Sequence, residues 1–311
     1  MTDHTIGIDI SKLHLDVFDN ARSESAQFEK SSKGFRQLEK WLKPHSISLV
    51  VYEATGPYHL DFEEWFCDKL PLAKVNPLQA RRFAQACGTR AKTDRLDAQG
   101  LARMGAAIDL EPDTPISKTT RVLKELQVAR SSLVKERVRL KNQMQVQSNS
   151  VLKRLTKSRM VLLNKQIEEL DHEISGLIAE DAPMQRKREI LKSIPGLGSI
   201  ASAAILTYCP EVGSLGRKQI SSLAGLAPHS RESGQWKGKT FISGGRKPLR
   251  DALYMPAIVA MRFNPDLAAK YGALRRAGKP AKVAIVAIMR KLIETANALI
   301  KNNRKWEKIR P

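Results

Sequence analysis

Long hydrophobic runs are missing from this chain, and no stretch approaches the ~20 apolar residues of a membrane-spanning helix. No lipidation motif is visible, and Met1-Thr2-Asp3-His4 lacks the basic and apolar regions of a signal peptide. A membrane association is therefore not expected, and a cytoplasmic location is. Cysteine is scarce. Cys67, Cys87 and Cys209 are odd in number, far apart and in no metal-like spacing, and read as buried, reduced thiols. Acid is also short: 53 Lys+Arg stand against 32 Asp+Glu, a formal charge of +21. That imbalance argues for a polyanionic partner, with nucleic acid the first candidate. A hydrophobic content of 42% in 311 residues is enough for real cores and argues against wholesale disorder.

The few acids fall in informative places. Asp9 sits in Thr5-Ile6-Gly7-Ile8-Asp9-Ile10 and Glu53 in Val50-Val51-Tyr52-Glu53-Ala54-Thr55-Gly56, both tied to short apolar runs that read as buried strands. Asp94 and Asp97, in Lys92-Thr93-Asp94-Arg95-Leu96-Asp97, are spaced i, i+3 and share one face of a helix. A buried carboxylate without a partner is strongly unfavourable, and a bound divalent cation would supply one. Asp16 and Asp61 read as surface or structural acids.

Taken in order, residues 5–18 read as two strands with a turn near Ser11-Lys12, and a short third strand follows at Ala26–Phe28. Ser31 or Ser32 caps a helix carrying Phe35, Leu38, Trp41 and Leu42, which ends before Pro44. Leu49–Tyr52 is a strand, Pro57–Leu70 a helix, Leu72–Val75 a strand; Pro77 opens another helix, and Asp94 to about Ile108 is helical. Three early strands followed by strand–helix alternation is the order of an RNase H-like α/β fold. In that fold the first strand, the fourth strand and the last helix carry acids, and Asp9, Glu53 and the pair Asp94/Asp97 fall in those three places.

Residues 109–117 read as a linker. After it, Val122, Leu126, Ala129, Leu133 and Leu140, then Leu163, Ile167, Leu170, Ile174 and Leu177, recur at four- and three-residue steps. They indicate long helices, an antiparallel hairpin or an intermolecular coiled coil, with a turn near Thr156–Arg159. Between Arg121 and Lys165 stand twelve Lys/Arg and two acids, so one face is strongly positive and suited to nucleic acid. Beyond a boundary at Asp181–Pro183, Ile194-Pro195-Gly196-Leu197-Gly198 joins two helices in the manner of a helix-hairpin-helix motif, with Gly196 and Gly198 placing backbone amides near a phosphate. From Gln235 to Arg250 there are five Lys/Arg and no acid, which suits a mobile loop over phosphates. Helices at about Pro248–Phe263 and Lys279–Lys301 follow, and the basic tail after Asn302 reads as frayed or bound to nucleic acid.

The ordered set Gly7-Ile8-Asp9, Glu53-Ala54-Thr55-Gly56 and Lys92-Thr93-Asp94-Arg95-Leu96-Asp97-Ala98 resembles the RuvC-like DEDD domain of the IS-one-ten family of bacterial transposases, RNA-bridged recombinases with Piv DNA invertases as relatives. Ala224-Gly225-Leu226-Ala227-Pro228, Glu232-Ser233-Gly234 and Arg250-Asp251-Ala252-Leu253-Tyr254 resemble that family's C-terminal transposase domain. The resemblance implies a RuvC-like domain over residues 1–110, a long-helix coiled-coil region over 116–182 and a mainly helical transposase domain over 183–311. It implies that Asp9, Glu53, Asp94 and Asp97 hold Mg²⁺ or Mn²⁺ and that Ser233 is a nucleophile. Donor and target DNA, an element-encoded guide RNA and a homo-oligomer, dimer or tetramer, are the implied partners, and a nucleoid association in a bacterial cytoplasm follows. Where the family often carries Ser-Lys-x-Gly, this chain has Ser243-Gly244-Gly245-Arg246, which displaces the basic charge to Arg246 and Lys247.

Carboxylates converging from strands and a helix suit hard cations that clamp attacking and leaving oxygens during in-line displacement. A serine hydroxyl needs such activation. Arg231, Lys237, Lys239, Arg246, Lys247 and Arg250 are the expected phosphate contacts. His229 reads as structural or a phosphate contact, and Trp236 as a base-stacking or core side chain. Ser233 lies far along the chain from the acids, so the two would meet across a subunit interface or after a domain movement. Two other readings stay open: a metal-only junction nuclease of RuvC type, in which Ser233 is incidental, and a non-catalytic nucleic-acid-binding protein.

Overall fold

The alternation of Ile6, Ile8 and Ile10 with Gly7 and Asp9 forms a strand because one face is buried against helices and the other against a single close-packed helix. A computed structural model describes residues 4–307, apart from Thr55, Pro57, residues 89–92 and 114–116, Arg231, Gln235 and Lys239. The chain divides into two compact units, Met1–Ile116 and Ser117–Pro311.

The first unit is a five-stranded mixed sheet flanked by helices. Its strands are β1 (His4–Ile10), β2 (His14–Asp19), β3 (Glu24–Glu29), β4 (Ile47–Glu53) and β5 (Leu72–Val75), in the order β3-β2-β1-β4-β5. β1, β2 and β3 form an antiparallel meander, while β4 and β5 add in parallel. Its helices are α1 (Ser32–Leu42), α2 (Leu60–Phe66), α3 (Pro77–Ala86) and α4 (Asp94–Ala107). Ser31 caps α1, as expected, by accepting from the Gly34 amide. Helix α2 is shorter than the Pro57–Leu70 reading, since Leu60–Phe66 alone is helical among the described residues.

Strand parity divides the side chains between two cores. Ile6, Ile8, Ile10, Leu15, Val17, Val50 and Tyr52 pack with Phe35, Leu38, Phe62 and Phe66 from α1 and α2. On the other face Leu49, Val51, Ala73 and Val75 meet Leu101 and Met104 of α4, and Phe18 meets Ala98 and Ala102.

The second unit is mostly helical: α5 (Lys118–Val146), α6 (Ser150–Glu180), α7 (Ala182–Ser193), α8 (Ser199–Tyr208), α9 (Arg217–Leu223), α10 (Lys247–Phe263), α11 (Pro265–Arg276) and α12 (Ala281–Lys301). Four two-residue strands lie between α9 and α10: β6 (Pro228–His229), β7 (Glu232–Ser233), β8 (Trp236–Lys237) and β9 (Phe241–Ile242). Helices α5 and α6 pair with each other as an antiparallel hairpin, since Arg130 meets Asp171, Arg137 meets Asn164 and Arg159 meets Glu136. The base of the hairpin joins the main core, where Leu123, Ile174 and Ile178 pack with Ile190, Ile205, Leu253 and Leu292.

Several expectations are corrected here. The hairpin turns at residues 147–149, not at Thr156–Arg159, because Asn149 caps α6 by accepting from the Val151 amide at 2.9 Å. Thr156 is buried inside α6 and receives a hydrogen bond from the Gln147 side chain at 2.9 Å. The apolar seam begins at the fully buried Leu123, while Val122 is 37% exposed. Helix α11 fills the interval between the two helices expected at Pro248–Phe263 and Lys279–Lys301; Asn264 caps it through the Leu267 amide, and Pro265 occupies its first turn. The tail is docked rather than frayed as far as it is described. Arg186 donates to the Asn303 side chain and carbonyl, the Trp306 amide donates to Ser193 Oγ at 2.7 Å, and Trp306 packs on the core.

Candidate functional site

Glycine lets α4 lie directly on β1. A Cβ on Gly7 would fall 2.0 Å from the Ala98 carbonyl oxygen and 2.4 Å from the Ala102 amide nitrogen. One on Gly105 would fall 2.5 Å from Val51 Cγ2 and 2.8 Å from Thr5 Cγ2. Helix residues 98 to 105 therefore travel from Gly7 toward Thr5, so α4 runs opposite to β1. Backing up from Ala98 to Asp94 covers roughly 6 Å of helix. Advancing from Gly7 to Asp9 covers roughly 6.7 Å of strand. The first turn of α4 thus comes level with Asp9.

Parity completes the arrangement. Asp9 shares the α4 face with Gly7, and Glu53 shares it with Val51. Thr93 caps α4 through the Leu96 amide, which places Asp94 and Asp97 in the first turn, where the helix dipole favours carboxylates by about 0.3–1 kcal/mol each. Burial, then the negative charges of Asp94, Asp97, Glu53 and Asp16, push the Asp9 carboxyl up to about 6. The structure so places the four acids singled out by the sequence near enough for the other three charges to raise Asp9.

It also adds a fifth. Asp16 pairs directly with Asp9 across the β1–β2 ladder, and Gln27 of β3 holds its Oδ1 through a 2.9 Å hydrogen bond. From the sequence alone Asp16 reads as a surface or structural acid. The hairpin register could have exposed it, because a two-residue turn at Lys12-Leu13 sets residue 9 opposite residue 16. On the opposite face of β4 the Tyr52 hydroxyl donates to Glu63 Oε1 at 2.6 Å, and Lys74 also pairs with Glu63. Burial works against this carboxylate, but the hydrogen bonds from Lys74 and Tyr52 prevail and hold its pKa below the usual value. This buried network braces the β4–β5 end beneath Glu53, and sequence patterning gave no sign of it.

Whether these acids suit a metal follows from the same geometry. The donor set is all carboxylate oxygen, which suits Mg²⁺ or Mn²⁺, and the raised Asp9 records a surplus of negative charge that a divalent cation would neutralise. Among the described residues, no three His, Cys, Asp or Glu side chains stand close enough together to close around an ion. The residues fit a cation in chemistry and share one face, without forming a closed ligand set.

Ser233 belongs to the second unit. It lies at the tip of a two-tier hairpin in which β6 pairs with β9 and β7 with β8, and the tip residues 232–234 are exposed. Gly234 turns the chain with φ 56°, in the left-handed region that favours glycine. The expected phosphate contacts fare variously. Gly196 has φ 106°, and a Cβ there would strike Ala260 at 2.7 Å, so this turn seats against α10; Gly198 opens α8 with nothing within 4 Å of a Cβ. Arg246 donates to Glu211 at 2.6 and 2.8 Å and to the Tyr208 carbonyl at 2.9 Å. Lys247 pairs with Asp251, and Arg250 donates to the Gly244 carbonyl at 2.7 Å and the Gly225 carbonyl at 3.3 Å. Arg231, Lys239 and the side chains of Trp236 and Lys237 lie outside the described residues.

Comparison with known proteins matches stretches of both units. Residues 6–154, which include all four acids, match a DEDD transposase model, and residues 188–272, which include Ser233, match the model of the "Transposase IS116/IS110/IS902 family". The "Pilin gene-inverting protein" of Moraxella bovis is 32% identical over 318 residues, covering 97% of each chain, and its namesake in Moraxella lacunata matches equally. The "Transposase for insertion sequence element IS1328" of Yersinia enterocolitica is 26% identical over 291 residues, 83% of this chain and 84% of the relative. The class is thus that of DNA transposases and recombinases, enzymes that cut and exchange DNA strands. Within it, the chain belongs to the IS110 family of transposases, the IS-one-ten family its motifs resemble. Among the described residues, no helix is long and apolar enough to cross a membrane.

Proposed function

We propose that this chain is the recombinase of an insertion sequence, with a RuvC-like, RNase H-like first unit and a serine nucleophile on the second. The observation that carries the reading is that Asp9 and Glu53 share the sheet face that α4 covers and Asp94 and Asp97 open α4, with Asp9 raised to about 6 by burial and by its acidic neighbours. The strand order β3-β2-β1-β4-β5 supports the RNase H-like assignment.

The four acids would hold Mg²⁺ or Mn²⁺, which when bound places positive charge on phosphate oxygens. Ser233 Oγ attacks a phosphodiester phosphorus, its proton passing to water, and the P–O bond to the departing DNA strand breaks as that oxygen gains a proton. The resulting serine phosphodiester conserves the bond energy. The hydroxyl of a second DNA end then attacks that phosphorus and gives up its proton to water, the bond to Ser233 Oγ breaks as that oxygen regains a proton, and strands exchange without an external energy source. Ser233's exposure at a hairpin tip supports this role, because a nucleophile must reach a bulky duplex.

The second-unit contacts to DNA are assigned to Gly196 and Gly198 at a helix-hairpin-helix turn and to Arg231, Lys237 and Lys239 around the serine. The basic α5–α6 hairpin adds sequence-independent attraction. Relatives' transposase names support donor and target DNA as substrates, and the family resemblance supports a guide RNA. Exposed Val138, Leu155 and Leu162 on the long helices, at 51, 52 and 56%, support self-association.

Mass spectrometry of protein trapped on DNA tests the reading. A nucleotide is expected on Ser233 in a Mg²⁺-dependent reaction, and none in Ser233→Ala. An adduct on another residue, or cleavage that persists in Ser233→Ala, would replace the serine mechanism by a metal-only nuclease.

A further inference from the structure

The hairpin that carries Ser233 leaves the helical body through a neck where two glycines face each other. Counting outward, Pro228 pairs with Ile242 and His229 with Phe241. Extending the same register inward sets Gly225 opposite Gly245, and the contacts agree: a Cβ on Gly245 would lie 2.2 Å from the Gly225 nitrogen and 2.5 Å from its Cα. Gly225 and Gly245 have φ values of 65° and 64°, so both legs turn through a conformation that favours glycine. The two backbones touch where the hairpin begins.

Arg250 closes that neck. From the first turn of α10 its Nη1 donates at 2.7 Å to the Gly244 carbonyl on the returning leg and at 3.3 Å to the Gly225 carbonyl on the outgoing leg. A Cβ on Gly225 would fall 2.0 Å from this Nη1, so the glycine is required for the arginine to enter. A second tie lies four residues earlier. The Arg246 amide donates to the Leu223 carbonyl at 2.7 Å, while its guanidinium grips Glu211 and the Tyr208 carbonyl at the end of α8. Burial opposes ionisation of Glu211, yet the Arg246 hydrogen bonds hold its pKa below the usual value, consistent with a persistent pair.

We propose that Arg250, assisted by Arg246, is a positioning residue: it clamps the two legs of the serine hairpin and fixes how Ser233 is presented, rather than contacting phosphate. The displaced basic charge after Ser243-Gly244-Gly245 then has a physical purpose, since a guanidinium can bond carbonyls from two legs in a fixed geometry. Outward from the neck the register shifts by one residue: His229 pairs with Phe241, whereas Glu232 pairs with Lys237. A register shift between two strand pairs re-aims a tip, so the tip's direction depends on the neck being held.

The inference about Ser233 presentation rests on the proposed nucleophile, but the clamp has a readout of its own. In the full chain, Arg250→Gln should raise hydrogen exchange of the 226–244 amides by about tenfold while α12 stays protected. Its affinity for a duplex oligonucleotide, and the slope of that affinity against salt, should stay at the wild-type values, while the single-turnover rate of adduct formation falls about tenfold. A phosphate contact would instead lower the salt slope by about one with exchange unchanged, which would overturn the proposal. Gly225→Ala, which removes no charge, should reproduce the exchange and rate defects. Wild-type behaviour in that variant, or loss of α12 protection equal to that of the hairpin, would also overturn it. Should Ser233→Ala still form the adduct, the nucleophile reading fails while the exchange data still decide the clamp.

Discussion

The acidic face and the serine hairpin place polar groups by opposite means. The acids ride on elements locked by burial: β1 has Ile6, Ile8 and Ile10 at 0–1% exposure, and α4 lies on it closely, with Gly7 against Ala98 and Ala102 and Thr5 against Gly105. Position there follows from packing, and positions in tight packing are costly to change. Ser233 rides on a two-residue strand at an exposed tip, outside the buried clusters formed by the described residues. Its position follows from backbone conformation and from a few hydrogen bonds at the neck. One is a charge site set by packing, and the other an exposed tip held only at its neck.

Removing the chemistry of either half should give the largest effects. Asp9→Asn and Ser233→Ala are each expected to lower strand cleavage by about 10³-fold or more. They should separate by stage: Asp9→Asn should keep duplex affinity yet lose the response to Mg²⁺, whereas Ser233→Ala should lose the covalent adduct alone. Full activity in Asp9→Asn would remove the acids from the mechanism and leave a serine enzyme on an incidental acidic face.

Steric substitutions sharpen the contrast between packing and conformation. Gly7→Val drives side-chain atoms into the α4 backbone and should destabilise the first unit by about 3 kcal/mol. Gly234→Ala has open space around its Cβ and costs only its left-handed φ, about 1 kcal/mol. Urea unfolding measures both, and equal costs would mean that the hairpin tip is as tightly enclosed as the sheet.

The same contrast explains what could be read from the residues. Alternating apolar runs place Asp9 and Glu53 on strands, and i, i+3 spacing places Asp94 and Asp97 on one helical face, because burial leaves a period in the sequence. The order of elements foretells a mixed sheet for the same reason. Asp16 escapes single-strand reasoning because its meaning lies in the register with Asp9, a property of two strands. The turn at residues 147–149 escapes because Asn149 caps by a local hydrogen bond while Leu152 and Leu155 continue the apolar pattern across it. Arg246 and Arg250 look like phosphate ligands from charge alone, since their carbonyl and Glu211 partners are set by tertiary contacts. Backbone-to-backbone closure at Gly225 and Gly245 carries no hydropathy signal at all.

Asp16 offers a smaller, graded probe of the acidic face. It faces Asp9 across the ladder and is held by Gln27, so it contributes negative potential without sharing Asp9's strand. Asp16→Asn should weaken the apparent Mg²⁺ affinity for cleavage by about tenfold and leave the rate at saturating Mg²⁺ near wild type. An unchanged Mg²⁺ titration would return Asp16 to a purely structural role, while loss of rate at saturation would move it among the catalytic acids.

The smallest effect separates the two halves through pH. In the metal-free protein Asp9 titrates at about 6 against an ordinary value of 3.8, so the native state binds this proton more tightly than the unfolded chain. Between those values the native state carries more protons, and stability falls as pH rises; above about 6 the penalty is complete and constant. Below the ordinary carboxylate value it vanishes. Asp9→Asn removes the penalty, so with a chelator present the variant should be more stable than wild type by about 1 kcal/mol at pH 8, after allowance for solvent screening of a partly exposed group. The difference should shrink to nothing near pH 4. Ser233→Ala removes no ionisable group from the sheet and should track wild type across the range. Urea midpoints at pH 4, 6 and 8 measure this directly. A variant no more stable than wild type at pH 8 would mean that the acidic neighbours of Asp9 are already compensated, and with that the electrostatic case for a cation at this face would fall.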